Sequence, residues 1–152
     1  MGERIVIASV HAAVELKAAL IAHLQAGGRS VVDLGPQGVD SVDYPDYGYK
    51  IAEAIAEGRA DRGIALCGSG VGISISVNRH PACRCALVSE PLSARLAREH
   101  NNANVIAMGA RLIGPEMARA CVDTFLSTPF AGDRHQRRVD KLSHPPFAKE
   151  PA

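Results

Sequence analysis

Short apolar runs alternate along the chain with longer stretches in which aliphatic side chains return every three or four residues. The first runs predict strands and the second predict amphipathic helices. Residues 4–9 read as a first strand, and residues 12–26, with Leu16, Leu20 and Leu24 in helical register, as a helix stopped by Gly27 and Gly28. A second strand over 30–34 breaks at Gly35-Pro36, and a loop then runs through Asp43 to Tyr47. A helix over 47–57 carries Ile51, Ala54 and Ile55 on one face and closes at Gly58. The third strand, 63–67, runs into Cys67-Gly68-Ser69-Gly70-Val71-Gly72 and a short helix over 73–78. Beyond it lie a strand over 84–88, a helix opened by Pro91 that ends near Glu99, and a strand over 104–108. Pro115 opens a helix reaching Leu126, residues 133–142 form a last basic helix, and residues 143–152 read as a flexible tail.

Five strands alternating with helices are βαβ units. They predict a three-layer α/β domain, Rossmann-like in architecture, with a five-stranded parallel sheet and helices on both faces, as one domain over residues 1–142. In such sheets ligands bind beyond the carboxyl ends of the strands. That rule gathers His11, the Asp43–Tyr47 loop, Cys67 to Gly72, Ser89-Glu90 and Gly109 to Arg111 at one edge.

Composition narrows the possibilities. The 152 residues carry 17 Lys and Arg against 16 Asp and Glu, so there is no overall basic footprint for nucleic acid. Aromatic residues make up 4% with no Trp, which argues against a base-stacking or sugar-stacking surface and in favour of a small polar ligand. No apolar run approaches the ~18 residues of a membrane span, and no signal pattern opens the chain, so a cytoplasmic location is expected. The four cysteines read as reduced thiols.

The glycine turn is the most informative stretch. Its amides, followed by a helix, suit a phosphate or negative charge developing on oxygen, and the thiol at its mouth could act as nucleophile or base. A tight turn made only for packing is the plainer alternative. The spacing is neither G-x-G-x-x-G nor a P-loop, and Glu90 at the place of a ribose-binding acid is a weak coincidence. Cys83-x-Cys85 with His80 nearby is too few ligands for a metal site and reads as packing. His100-Asn101 could be acid–base machinery or a surface cap. Arg111, Arg134, His135, Arg137 and Arg138 could grip a phosphate or form a solvated face.

At these positions the chain resembles type B ribose-5-phosphate isomerases, a family that includes the subunits of galactose-6-phosphate isomerase. The resemblance covers about residues 4–142 and rests on Asp43-Tyr44-Pro45, Cys67 to Gly72, Ser89-Glu90-Pro91, His100-Asn101 with Asn104-Val105, and Arg134-His135-Gln136-x-Arg138. It implies a metal-independent, cofactor-free aldose–ketose isomerase working through an enediolate, in the pentose phosphate pathway, as a homodimer or tetramer with active sites drawn from two subunits. It casts Cys67 as the base, Ser69 with the amides of Gly70, Val71 and Gly72 as the cradle of the enediolate oxygen, Gly68 as a substrate-binding residue, and His100 as the ring opener. Asn101 and Tyr44 then hold the sugar, and His11, Arg111, Arg134 and Arg138 the phosphate. A branch of the family uses a glutamate in the glycine loop as base; here that residue is Ile73, which leaves Cys67.

Two departures stand out. Val10 occupies the place of the family's usual aspartate before the histidine, and Ala13 that of a glycine. Val10 removes an acceptor from the sugar end. The resemblance makes ribose 5-phosphate the first expectation, and Val10 makes the same chemistry on a tetrose 4-phosphate, allose 6-phosphate or galactose 6-phosphate the alternative, with a non-catalytic sugar-phosphate binder as a third reading.

Overall fold

The computed structural model describes residues 2–38 and 40–147. Its strands are β1 (Ile5–Ser9), β2 (Val31–Asp33), β3 (Arg62–Cys67), β4 (Cys85–Leu87) and β5 (Val105–Gly109). A 3-10 turn over His11–Ala13 leads into helix α1 (Val14–Ala26); the others are α2 (Tyr44–Ala56), α3 (Val71–Val77), α4 (Pro91–Asn101), α5 (Pro115–Ser127) and α6 (Arg134–Ser143). All pairings are parallel, in the order β2-β1-β3-β5-β4. The chain leaves β1 toward one side of the sheet and takes up β3 on the other. The crevice beyond the β1 and β3 ends is thus a topological switch point, the usual ligand site of such a sheet.

Alternation along the strands decides the layers. Ile5, Ile7, Ile64, Leu66, Ile106 and Met108 face one way and pack with Leu16, Leu20 and Leu24 of α1, Ala94 of α4 and Phe125 of α5. Val6, Ala8, Ala65, Cys67, Val105 and Ala107 face the other way, against Ile51 and Ala54 of α2 and Ile73 and Val77 of α3. The five-stranded sheet with helices on both faces is therefore present as expected. No helix among the described residues is long and apolar enough to cross a membrane.

Two boundaries differ from the sequence reading. Helix α2 starts at Tyr44, three residues earlier than the periodicity indicates, because Pro45 in its first turn has a φ already suited to a helix. Helix α3 starts at Val71, directly on the left-handed Gly70 (φ +82°), so the glycine turn and the helix N-terminus are one unit. A side chain on Gly70 would strain that φ and place its Cβ 2.6 Å from Leu87 and 2.9 Å from the Met108 backbone. Of the tail expected over 143–152, Ser143 is the last residue of α6, and residues 148–152 lie outside the described residues.

The loop between β2 and α2 is fastened from beneath. The Lys17 ammonium, 3% exposed, donates to Asp33 Oδ1 at 2.9 Å and to the Pro36 carbonyl. Partial burial alone would raise the Asp33 carboxyl, but the Lys17 ammonium and the Gly35 N–H overcome it and hold the group below its usual range. A carboxyl depressed on folding stabilises the fold above its ordinary range and loses that contribution as pH falls through it, below about pH 4. In urea titrations Lys17→Met is expected to cost about 2 kcal/mol at neutral pH and to flatten the acid-side loss of stability. An unchanged acid slope would show that the pair contributes nothing to it.

Candidate active site

β1 and β3 are neighbours in register, Ser9 beside Leu66, so the turns after the two strands emerge at the same edge. Val10, His11, Ala12, Val42, Tyr44, Cys67, Gly68, Ser69, Gly72, Arg111 and Leu112 line an open cavity of about 400 Å³ there. The turn after β5 closes one side. Ala110 N–H donates to the Cys67 carbonyl at 2.9 Å and Arg111 N–H to the Gly68 carbonyl at 3.0 Å. Gly109 permits this approach, since a Cβ there would lie 2.6 Å from Ser69 backbone atoms.

The Cys67 side chain is buried, 6% exposed, at the cavity wall. Its Sγ accepts the Gly70 N–H at 3.0 Å, a donor of the kind that holds negative charge on sulfur. Ser69 Oγ accepts the Val71 N–H at 3.2 Å, which orients the hydroxyl over the start of α3. Thiol, hydroxyl and helix N-terminus thus share one short turn. The other cysteines are of a different kind: burial pushes the Cys83 and Cys121 thiols up to about 11, and raises Cys85 further.

His11 is the first residue of the 3-10 turn after β1, and its Nδ1 accepts the Val42 N–H at 3.2 Å. That bond fixes the tautomer of the neutral ring: the proton sits on Nε2, which is left free to donate. The Arg111 side chain lies along Gly68, within 3.5 Å of where a Cβ would stand, and the Tyr44 ring packs against Gly72. The cavity therefore offers a histidine N–H and a guanidinium, a pair suited to a phosphate, beside a thiol held by an amide.

Of the residues expected at the site, His11, Tyr44, Cys67, Gly68, Ser69, Gly72 and Arg111 line this cavity. Gly70 and Val71 belong to the turn but not to the lining. His100, Asn101, Arg134 and Arg138 are elsewhere. Helix α4 begins beside the strand carboxyl ends and runs back to feed β5, so its last turn, with His100 and Asn101, lies toward the opposite edge of the sheet. Ala131 N–H reaches the Glu99 carbonyl at 3.1 Å and brings the start of α6, with Arg134, to the same place. Asn101 lines a separate pocket with Asn78, Arg84 and Leu142.

Two residues were not singled out by sequence. Val42, whose N–H orients His11, had only the neighbouring Asp43-Tyr44-Pro45 to draw attention to it. His135, read as one of a basic cluster, is buried at 7% exposure with its ring stacked on His100, centroids 4.5 Å apart. Glu90 is no ribose ligand: its carboxylate caps α4, accepting the Ser93 N–H at 3.0 Å.

The ribose/galactose isomerase family model matches residues 5–142, which take in the whole sheet and every residue of the cavity. The chain belongs to that family. Ribose-5-phosphate isomerase B of Escherichia coli is 43% identical over 133 residues, covering 88% of this chain and 89% of the relative. The solved structure of a ribose 5-phosphate isomerase from Thermotoga maritima superposes with a TM-score of 0.91 at 50% identity, covering 94% of this chain and 99% of that one. The type B ribose 5-phosphate isomerase of Trypanosoma brucei gives 0.91 at 38% identity, with 94% and 98% covered. The chain is thus an isomerase of the ribose/galactose type.

The thiol environments can be read out directly. Limited alkylation near neutral pH, mapped by peptide mass spectrometry, is expected to fall on Cys67 before Cys83, Cys85 and Cys121, and inorganic phosphate is expected to slow it. Labelling of Cys83 or Cys121 ahead of Cys67 would contradict the assigned environments.

Proposed function

We propose that this isomerase interconverts ribose 5-phosphate and ribulose 5-phosphate through an enediolate, with Cys67 as the base. The observation that carries the reading is the Cys67 thiol at the cavity wall with the Gly70 N–H on its sulfur, on a cavity that also presents Ser69, His11 and Arg111. Cys67 takes the proton from C2 of the open-chain aldose, and the electron pair moves into a C1–C2 double bond with charge on O1. The carbon proton returns at C1 while a hydroxyl proton passes from O2 to O1. Ser69 Oγ and the amides at the start of α3 hold the oxygen charge, the preorganised donor arrangement that gives such sites most of their rate. His11 Nε2–H and Arg111 hold the phosphate.

The furanose must open before C2 can lose its proton, and that step falls to His100, with Asn101 on the sugar and Arg134 and Arg138 on the phosphate. Since these four lie toward the opposite edge of the same chain, they reach a thiol by belonging to a second copy, in a homodimer or tetramer whose sites are shared. Exposed apolar side chains beside the turn support such a contact: Val71 (46% exposed) and Ile75 (59%) are one helical turn apart on α3, and Leu87 (47%), on edge strand β4, reaches toward Gly70.

A second substrate reading has one observation in its favour. The cavity wall around Cys67 includes Val10, Ala12 and Val42, which offer a sugar hydroxyl no side-chain partner. A hydroxyl facing that wall unpaired costs about 1–3 kcal/mol. A tetrose 4-phosphate, or a hexose 6-phosphate placed differently, relieves that cost with the same chemistry.

Ketose formation from a panel of tetrose, pentose and hexose phosphates separates the readings, with ribose 5-phosphate expected to turn over fastest. Cys67→Ala is expected to lower kcat by about a thousandfold while phosphate-ester affinity stays within about twofold. Turnover unchanged by that substitution would remove Cys67 as the base, and no turnover of any phosphate in the panel by the native protein would remove the reading altogether.

A further inference from the structure

The His100 imidazole makes no hydrogen bond to any side chain or backbone group among the described residues, and its ring is held instead by a parallel stack. The His135 ring lies on it at a centroid distance of 4.5 Å with 16° between the planes. The two rings come from different helices, the last turn of α4 and the first turn of α6. Their contact is backed by the Ala131 N–H to Glu99 carbonyl bond and by Val139, buried one helical turn beyond His135. His100 is half-buried and His135 buried, although Arg134, Gln136, Arg137 and Arg138 around it on α6 are all exposed. A basic helix that turns its one imidazole inward onto another imidazole is using it for the neighbour, not for solvent.

We propose that His135 is a positioning residue for His100, whose ring face holds the His100 imidazole in the orientation that opens the furanose. This rests on the reading of His100 as the ring opener. In that step the C1 hydroxyl gives its proton to His100, the C1–O4 bond breaks as the C1 carbonyl forms, and O4 takes up a proton, so the imidazole ends as it began. Two oxygens of one ring must be served in turn by one imidazole, which makes the plane of that imidazole the critical variable. An unanchored side chain at a helix end would sample several rotamers.

The charges facing the stack agree with this division of labour. Burial holds the His135 imidazole below its usual range, and Arg134, His100 and Arg138 lower it further against the opposing charge of Asp133. His135 is the buried ring of the pair and His100 the more exposed one, so the buried face is the fixed member of the stack. Arg134 and Arg138, adjacent to His135 and one turn beyond it, serve the phosphate. One short helix then sets both the anchor and the ring opener of the sugar.

Because ribose 5-phosphate closes to a furanose and ribulose 5-phosphate, with its C5 oxygen phosphorylated, does not, the two directions of the reaction separate ring opening from proton transfer. The test compares the full-length native protein with His135→Leu, which fills the space without a ring face, and His135→Phe, which keeps a flat face without nitrogens. At saturating substrate His135→Leu is expected to lower kcat from ribose 5-phosphate by at least about tenfold, and kcat from ribulose 5-phosphate by less than about twofold. His135→Phe is expected to keep both within about threefold of the native protein. Equal losses in the two directions would show a merely structural residue and overturn the proposal. So would a His135→Leu variant with native kcat from ribose 5-phosphate, or a His135→Phe variant as impaired as His135→Leu. Native protein inactive on both sugars would overturn the functional reading itself, a result distinct from any of these.

Discussion

Two backbone hydrogen bonds, from Ala110 to the Cys67 carbonyl and from Arg111 to the Gly68 carbonyl, tie the turn after β5 to the turn after β3, and the cavity depends on them. They carry the sheet ladder past its last regular pair, Cys67 with Gly109, into the region where Cys67, Ser69 and Arg111 line the cavity. Thiol, hydroxyl and guanidinium then stand on backbone as fixed as a strand. Gly109 is what lets the two turns come so close. Preorganisation of this sort costs no rearrangement when charge develops on a sugar oxygen.

The same economy appears in how protons are assigned. Val42 gives His11 one tautomer, so the ring keeps its Nε2–H as a donor at the cavity. Gly70 gives Cys67 a donor on sulfur, whereas burial is the main influence on the Cys83 and Cys121 thiols and raises both. Both site groups are oriented by backbone N–H donors, which explains why so small a site needs few charged side chains. The balanced net charge of the chain is consistent with this, since Arg111 is the one arginine lining the cavity.

The sheet was legible because strands covered on both faces read as short continuous apolar runs bounded by turns: Ile5, Val6, Ile7 and Ala8 are all buried and divide between the two faces. The cavity side of the site was legible for a related reason, since a residue directly after a parallel strand has one edge to emerge at. What was hidden depends on contacts between elements distant in sequence. The start of α2 was placed too late because Tyr44 and Tyr47 do not reveal where the Pro45 turn begins. His135 was grouped with its arginines, because charge along a helix is visible in sequence and the direction of one imidazole is not. The separation of His100 from Cys67 comes from helix direction, which the strand-end rule leaves aside.

Val10 closes the β1 side of the cavity, and its backbone N–H continues the ladder to the Leu66 carbonyl at 3.0 Å. With Val6 and Ala8 it forms an unbroken apolar row that packs into the core on the α2 and α3 face, 7% exposed at its last member. The wall of the site is therefore the end of the core itself. A carboxylate in that row needs a ligand or water to satisfy it, so an empty site carries a desolvation penalty. A valine carries none, so the empty cavity leaves no unsatisfied group at this position. A ligand still stabilises the folded chain by mass action, but the wall itself asks for no partner when the cavity is empty.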